Sequence, residues 1–295
     1  MKIVQSFWSK PAFTLSPFSW NRNAGGWNNQ KFHLYSWALS CLTISRYYPQ
    51  LELITDLRGY DLLIDKIKLP YKKVRLDLET LKDENPILFA LGKVKAYAVQ
   101  TDPFIHFDSD IFLWKKLPEL FTSNRLIAQN QETDFNHDIL SLREIMAKFK
   151  YIPLEILRHN NSSPHRSSNA GILGGLDIEF IHKFTDRALA FALNNSDMID
   201  LLENPSFFNI IFEQYLFTCM AKEENIEISY LFDKLSSDYS ELCDFKNIYS
   251  PQKFLHLIGP YKQYQEKEMA VAERLMMEFP EYYYRINDLV NNNQL

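Results

Sequence analysis

Short apolar runs of strand length alternate with stretches of helical period along this chain, and that alternation narrows its fold more than any other feature. Ile3-Val4-Gln5-Ser6-Phe7-Trp8 reads as a first strand. Leu34, Trp37, Ala38, Cys41, Leu42 and Ile44 then recur on one helix face, which predicts a helix over 31–48. Leu51 to Thr55 is a second strand, stopped by Asp56 and Gly59, and Pro86 is placed to open a helix running to about Val99. Pro103-Phe104-Ile105-His106-Phe107-Asp108 is another apolar run, and it ends in acid. Strands near 125–130 and 254–258, with helices over 139–150, 153–158, 178–193, 207–222 and 263–279, extend the pattern. His159 to Ser168 reads as a polar loop, and the aromatic, Asn-rich tail after 279 as a fraying end. The alternation predicts an α/β fold with a largely parallel sheet. No internal repeat or low-complexity linker interrupts it. One continuous domain is expected over 1–262, with 263–295 as a C-terminal helix and tail packing on it.

Charge and cysteine usage exclude several classes. The 32 basic and 37 acidic residues leave a net charge of -5 with no basic block, so the footprint of a nucleic-acid binder is missing. Cys41, Cys219 and Cys243 are far apart and form no C-x-x-C pair. They read as buried thiols in a reducing compartment. The first residues are too short an apolar stretch for a signal peptide, and no run reaches membrane-spanning length, so a cytoplasmic location is expected. The mixed-charge helix over 263–279 reads as a packing helix, with peripheral membrane or partner contact as the other reading.

Three motifs carry chemistry. Asp108-Ser109-Asp110 follows an apolar strand, and ligands collect at the carboxyl ends of strands in open α/β sheets. Paired carboxylates there suit Mg²⁺ or Mn²⁺, ions that usually keep substrate phosphates in their shell; the alternative is a solvated turn. His256-Leu257-Ile258-Gly259-Pro260-Tyr261-Lys262 is the most specific pattern. Its imidazole can complete an oxygen and nitrogen coordination set, its glycine lets backbone approach a diphosphate, and its lysine offers a point charge to phosphate. A core histidine followed by a turn is the plainer reading. Third, Asn169-Ala170-Gly171 opens a segment that also holds Gly174 and Gly175, three of only eight glycines. It either faces a sugar or packs a central strand tightly against its neighbours. Glu213 and Gln214 interrupt the apolar stretch 207–220 and need partners there, as a buried polar cap or as a sugar-binding wall. Trp20 and Trp27 lie in an early polar loop, where they either stack on an acceptor sugar or anchor the loop.

In this order the motifs resemble those of the GT-A type nucleotide-sugar glycosyltransferases, and most closely the layout of glycosyltransferase family 8, over roughly residues 1–265. The resemblance implies a GT-A, Rossmann-like fold with a mixed, mostly parallel central sheet. It implies that Asp108, Asp110 and His256 hold Mn²⁺ or Mg²⁺, that Asp108 also lies near the ribose, and that Gly259 and Lys262 bind the diphosphate. Asn169, Ala170, Gly171, Gln214 and, more loosely, Lys93 would meet the donor sugar. Two departures bear on the base. Ser6-Phe7-Trp8 stand where the family has an aspartate that reads uracil, which leaves Ser6 or Asp56 to contact the nucleotide. Gln263-Tyr264 also replace the usual Pro-Trp after the lysine, and Glu213-Gln214 replace the commoner Asp-Gln.

The activity implied is hexosyl transfer from a nucleotide diphosphate sugar, UDP-linked in most of the family, to a saccharide, lipid-linked or protein hydroxyl, as in polysaccharide biosynthesis. Retention of configuration by same-face attack is implied, with Asp110, Gln214 and Glu213 at the reaction centre and Glu213 as an outside candidate nucleophile. A sugar nucleotidyltransferase would need a Gly-rich, Arg-containing loop directly after the first strand, and the first glycine is Gly25. The non-enzymatic alternative is a carbohydrate-binding or scaffold protein of the same fold that has lost turnover.

Overall fold

Period-two burial along the strands divides the interior into two layers. Ile3 and Phe7, Leu53, and Ile105 and Phe107 face one apolar cluster, whereas Val4, Ile54, Phe104 and Leu173 face the other. A sheet with apolar side chains on both faces must be covered on both, and helices supply the cover. This computed structural model describes residues 1–14, 23–133, 136–161, 164–233, 239–251 and 253–295.

The central sheet is built from β1 (Lys2–Phe7), β2 (Leu51–Thr55), β3 (Lys73–Arg75) and β4 (Phe104–Phe107), which pair in parallel in the order β3-β2-β1-β4. A short β5 (Ile111–Leu113) leaves this sheet just after β4. Beyond β4 the sheet continues through β8 (Ile172–Gly175), antiparallel to both β4 and β6 (Leu126–Thr133). Strand β6 also pairs antiparallel with β7 (Arg166–Ser168) and parallel with β9 (Ile228–Phe232). The result is the mixed, mostly parallel sheet flanked by helices. Gly174 and Gly175 on β8 are packing glycines: their φ values are +157° and +136°, and a methyl group would lie 2.1 Å from the carbonyl oxygens of Phe104 and Arg125. Of the two readings for this cluster, tight strand packing holds at these two positions.

One cluster is covered by helix Gln30–Ser45, capped by the Asn29 side chain at Lys31 and Phe32, and by helix Gln265–Glu278 beyond it. Helices Leu91–Ala98, Ile178–Leu193 and Leu216–Glu223 cover the other. Among the described residues no helix is long and apolar enough to cross a membrane.

Several elements differ from the sequence expectation. The segment after Pro86 is a series of turns and the helix begins only at Leu91, because the Asn85 side chain binds the Ile87 amide and Asn209 binds that of Ala90. Arg166–Ser168, expected as polar loop, is a strand. The tail after 279 is helical over Pro280–Asn291, with Tyr283 stacked on Tyr35 and Ile286 buried. Its aromatic residues anchor it. Trp27 is buried and anchors its loop to the core, while Trp20 lies outside the described residues.

Candidate active site

Strand β5 pairs antiparallel with β10 (Phe254–His256), setting His256 opposite Ile111. The Leu257 amide also donates to the Asp110 carbonyl at 3.1 Å. This two-stranded ribbon brings a histidine 146 positions distant in sequence beside the Asp108-Ser109-Asp110 turn at the carboxyl end of β4. Asp108, Asp110 and His256 each offer an atom, all within 4.8 Å of one another.

The two carboxylates sit in different surroundings. Asp108 is a quarter exposed, and Lys93 lies 3.0 Å from its Oδ1. Asp110 is buried between His256, 3.2 Å from Oδ1, and Lys262, which contacts Oδ2 closely. Burial works against its ionisation, but the Lys262 ammonium outweighs that and holds its carboxyl far below the usual range. His256 Nδ1 lies 2.6 Å from Gln129 Oε1, while the Gln129 amide nitrogen donates to Asn130. Gln129 therefore accepts from Nδ1–H, which leaves the Nε2 lone pair facing Asp110. Asp110 Oδ1 is buried and has no hydrogen-bond donor. Two acceptor atoms facing each other in a buried site favour a cation between them. An oxygen, oxygen and nitrogen donor set fits a divalent cation.

The next wall comes from a π-helical turn, Ile211–Tyr215, inside the helical run that leads into Leu216–Glu223. Such turns often mark functional sites, since the extra residue redirects side chains. Glu213 is buried there, 2.9 Å from Lys93, and accepts from the Tyr97 hydroxyl at 3.0 Å. Burial raises the Glu213 carboxyl, partly offset by Lys93. Burial opposes charge on Lys93 as well, but Asp108 and Glu213 prevail and raise it above the ordinary lysine value. Gln214 lines the same cleft, and its Oε1 is buried without a donor. The cleft encloses about 210 Å³.

Most of the residues singled out in the sequence meet in this cleft: Ser6, Lys93, Asp108, Asp110, Asn169, Gly171, Glu213, Gln214, His256, Gly259 and Lys262 all line it. Two do not. Asp56 is consumed by structure, its carboxylate accepting from the Gly59 amide and from the Ser9 amide and hydroxyl at 2.8–2.9 Å. Ala170 is fully buried in the core and presents only its carbonyl, which accepts from Lys93 at 3.1 Å. Asn169 is also committed, donating to Glu132 at 2.7 Å and accepting from the Gly171 amide at 2.9 Å.

The glycines here have separable causes. A methyl group on Gly171 would come 2.4 Å from His256 Cε1 and 2.6 Å from Gln129 Oε1, so its absence lets the imidazole and its partner approach. Gly259 has φ +52°, and a methyl group on it would meet nothing within 4 Å, so it combines a left-handed turn with backbone open to the cleft.

Sequence reasoning missed Gln129, Tyr97 and His33. Gln129 was detectable as an amide following the apolar Leu126-Ile127-Ala128, since a buried polar group on a strand needs a partner. His33 lines the cleft, accepts from Trp37 Nε1 at 3.0 Å, and is pushed down to about 3 by burial, then by Lys262.

Residues 1–289 match the model of a family described only as a family of unknown function (DUF6734). No curated protein matches the chain. Several solved structures resemble it at low identity. The glycosyltransferase GlyE of Streptococcus pneumoniae TIGR4 is 12% identical, with a TM-score of 0.45 over 99% of this chain and 63% of that one. The chain thus spans less than two thirds of the length of GlyE. The galactosyltransferase LgtC, in complex with donor and acceptor sugar analogs, is 10% identical, with a TM-score of 0.48 over 97% of this chain and 100% of that one. Mouse xyloside xylosyltransferase 1 is 13% identical, with a TM-score of 0.40 over 86% and 96%.

Proposed function

Because the chain belongs to this family of unknown function, its activity has to be argued from the cleft, and we propose that it is a metal-dependent GT-A glycosyltransferase. In this reading it moves a hexosyl group from a nucleotide diphosphate sugar, UDP-linked, to an acceptor hydroxyl with retention of configuration. The observation that carries the reading is the convergence of Asp108, Asp110 and His256 with Lys93 and Lys262 at one strand end. A phosphate-bearing donor needs that combination of oxygen ligands and positive side chains.

Asp108, Asp110 and His256 would hold Mn²⁺ or Mg²⁺, which supplies charge compensation for a departing diphosphate. The chain's own groups do the rest. Lys262 offers its ammonium to the diphosphate, and Gly259 lets the backbone approach it. Lys93, held by Asp108 and Glu213, directs its charge toward the donor. Ser6 lies where the nucleotide enters, and Asp56 no longer serves for the base because its carboxylate caps a helix. Gln214 and Asn169 border the hexose, while Gly171 gives clearance to the His256 imidazole. In the transfer, the acceptor oxygen bonds to the anomeric carbon as the bond from that carbon to the diphosphate breaks. The bonding pair leaves with the diphosphate, and the hydroxyl proton passes to its departing oxygen on the same face. Glu213 is engaged by Lys93 and Tyr97, so it acts as a positioning residue in this scheme.

A panel of nucleotide sugars scored for hydrolysis, with and without EDTA, tests the reading. Hydrolysis of one donor class that stops on chelation is expected. Metal-indifferent sugar binding without release of nucleoside diphosphate would instead make the chain a carbohydrate-binding protein.

A further inference from the structure

A second cavity, of about 590 Å³, lies between the β6, β7 and β9 edge and the helical run that carries Glu213 and Gln214. Gln131, Arg166, Tyr215, Thr218, Lys222 and Tyr230 are among its lining residues. Arg166 and Lys222 are both exposed, and neither has an ion-pair partner among the described residues. A single lining carboxylate, Glu227, stands against these two cations. His159 also lines it but is engaged by Glu223 at 2.9 Å, and hydroxyls and an amide, groups that meet sugar hydroxyls, are among the other polar groups. Half-buried Tyr230 adds an aromatic ring of the kind that stacks on sugars.

The cavity shares its partition with the first cleft. Ser168 Oγ lies 2.8 Å from Thr218 Oγ1 and 3.0 Å from the Tyr230 hydroxyl, both on the second cavity, and the next residue, Asn169, lines the first. Thr218 Oγ1 donates at 3.0 Å to the carbonyl of Gln214, which also lines the first cleft. The Ser168-Asn169 backbone and the turn from Gln214 to Thr218 thus form the wall between the two cavities.

We propose that this cavity binds the acceptor and that the acceptor is a saccharide carrying an anionic group, a carboxylate or a phosphate. The inference rests on the glycosyltransferase reading for the word acceptor; the site itself stands on the cavity and its cations. A guanidinium pairs two oxygens of either anion in a fork, and the Lys222 ammonium adds a second charge-assisted contact. A neutral sugar would leave both cations without a partner.

Calorimetry on the full chain, with a hexuronate-terminated oligosaccharide, a hexose phosphate, a neutral oligosaccharide and inorganic phosphate, tests this. At least one acidic sugar should bind about tenfold or more tighter than the neutral one, and that margin should vanish in R166A/K222A. The two acidic arms distinguish carboxylate from phosphate. Thermal melting of the variants checks their fold, and K222Q alone, at an exposed position, keeps the test open if the double variant unfolds. Equal affinity for acidic and neutral sugars, or an unchanged margin in a folded variant, overturns the proposal. Inorganic phosphate binding as tightly as the hexose phosphate overturns its saccharide part. Acidic-sugar binding by a chain that hydrolyses no nucleotide sugar supports the cavity and overturns the transfer reading instead.

Discussion

The two halves of the central sheet differ in construction, and the cleft lies along their seam. On one side β3, β2, β1 and β4 run parallel, and every residue of β2 and β4 is buried. On the other, β8, β6, β7 and β9 mix directions, β9 is half-buried throughout, and β8 ends in two glycines. The parallel half delivers charge to the site, through Asp108 and Asp110 after β4. The mixed half delivers geometry, through Gln129, Asn169 and Gly171, which fix the imidazole. Charge and alignment thus come from separate parts of the chain, and substitutions can remove one without the other.

The largest effect is expected on the charge side. Asp110→Asn keeps the side chain's shape and removes its charge, and donor hydrolysis should fall at least ~10²-fold while a cooperative melting transition is kept at a lowered temperature, since Lys262 loses its counter-charge. Asp110→Ala should lose as much activity and, in addition, ~3 kcal/mol of stability, because Lys262 is left buried without its carboxylate. Full hydrolysis by the Asn variant in the presence of EDTA would end the metal assignment.

A smaller effect is expected on the alignment side. Gly171→Ala drives a methyl into His256 and Gln129, and the imidazole has to turn away. Metal affinity, read by titrating hydrolysis with Mn²⁺, should weaken by ~10- to 100-fold, with activity recovered at high metal. If activity were lost at every metal concentration with the fold intact, Gly171 would be a sugar-facing position rather than a clearance for the ligand.

The same contrast explains what could be read from the sequence. Three strands of the parallel half, β1, β2 and β4, are largely buried on both faces and appear as mostly apolar runs, so they were legible with nearly correct ends, whereas the short, exposed β3, Lys-Val-Arg, was not. Strand β7 is Arg-Ser-Ser and β9 is only half-buried, and a strand whose partners supply most of its hydrogen bonds need not look like one. The carboxylates and the histidine that converge in the cleft were legible because Asp-Ser-Asp and the histidine motif are local patterns. Asp56 was misjudged because a lone acid after a strand looks alike as a ligand or a helix cap, and only its three short hydrogen bonds decide. Gln129 could be flagged from the sequence as a buried amide in need of a partner, but that the partner is His256 follows only from the pairing of β10 with β5.

The smallest effect tests whether the mixed half depends on its surface fastening. Asp177 caps helix Ile178–Leu193 at the Phe180 amide and binds Arg125, the residue before β6, so it ties the ends of β8 and β6 together. Burial alone would raise its carboxyl, but the Phe180 amide and the Arg125 guanidinium prevail and hold it below the ordinary value of 3.8. The unfolded chain therefore takes up this proton first as pH falls. The contribution is present in full above the ordinary aspartate range and is lost as pH drops through the folded value. Asp177→Ala should cost ~1 kcal/mol at neutral pH, most of it from the cap, and the gap between the two melting curves should close in acid. Metal affinity should not change, since neither Asp177 nor Arg125 lines the cleft. A gap that persisted below that range would mean that helix packing, and not the charged cap, sets the alignment of β8 against β6.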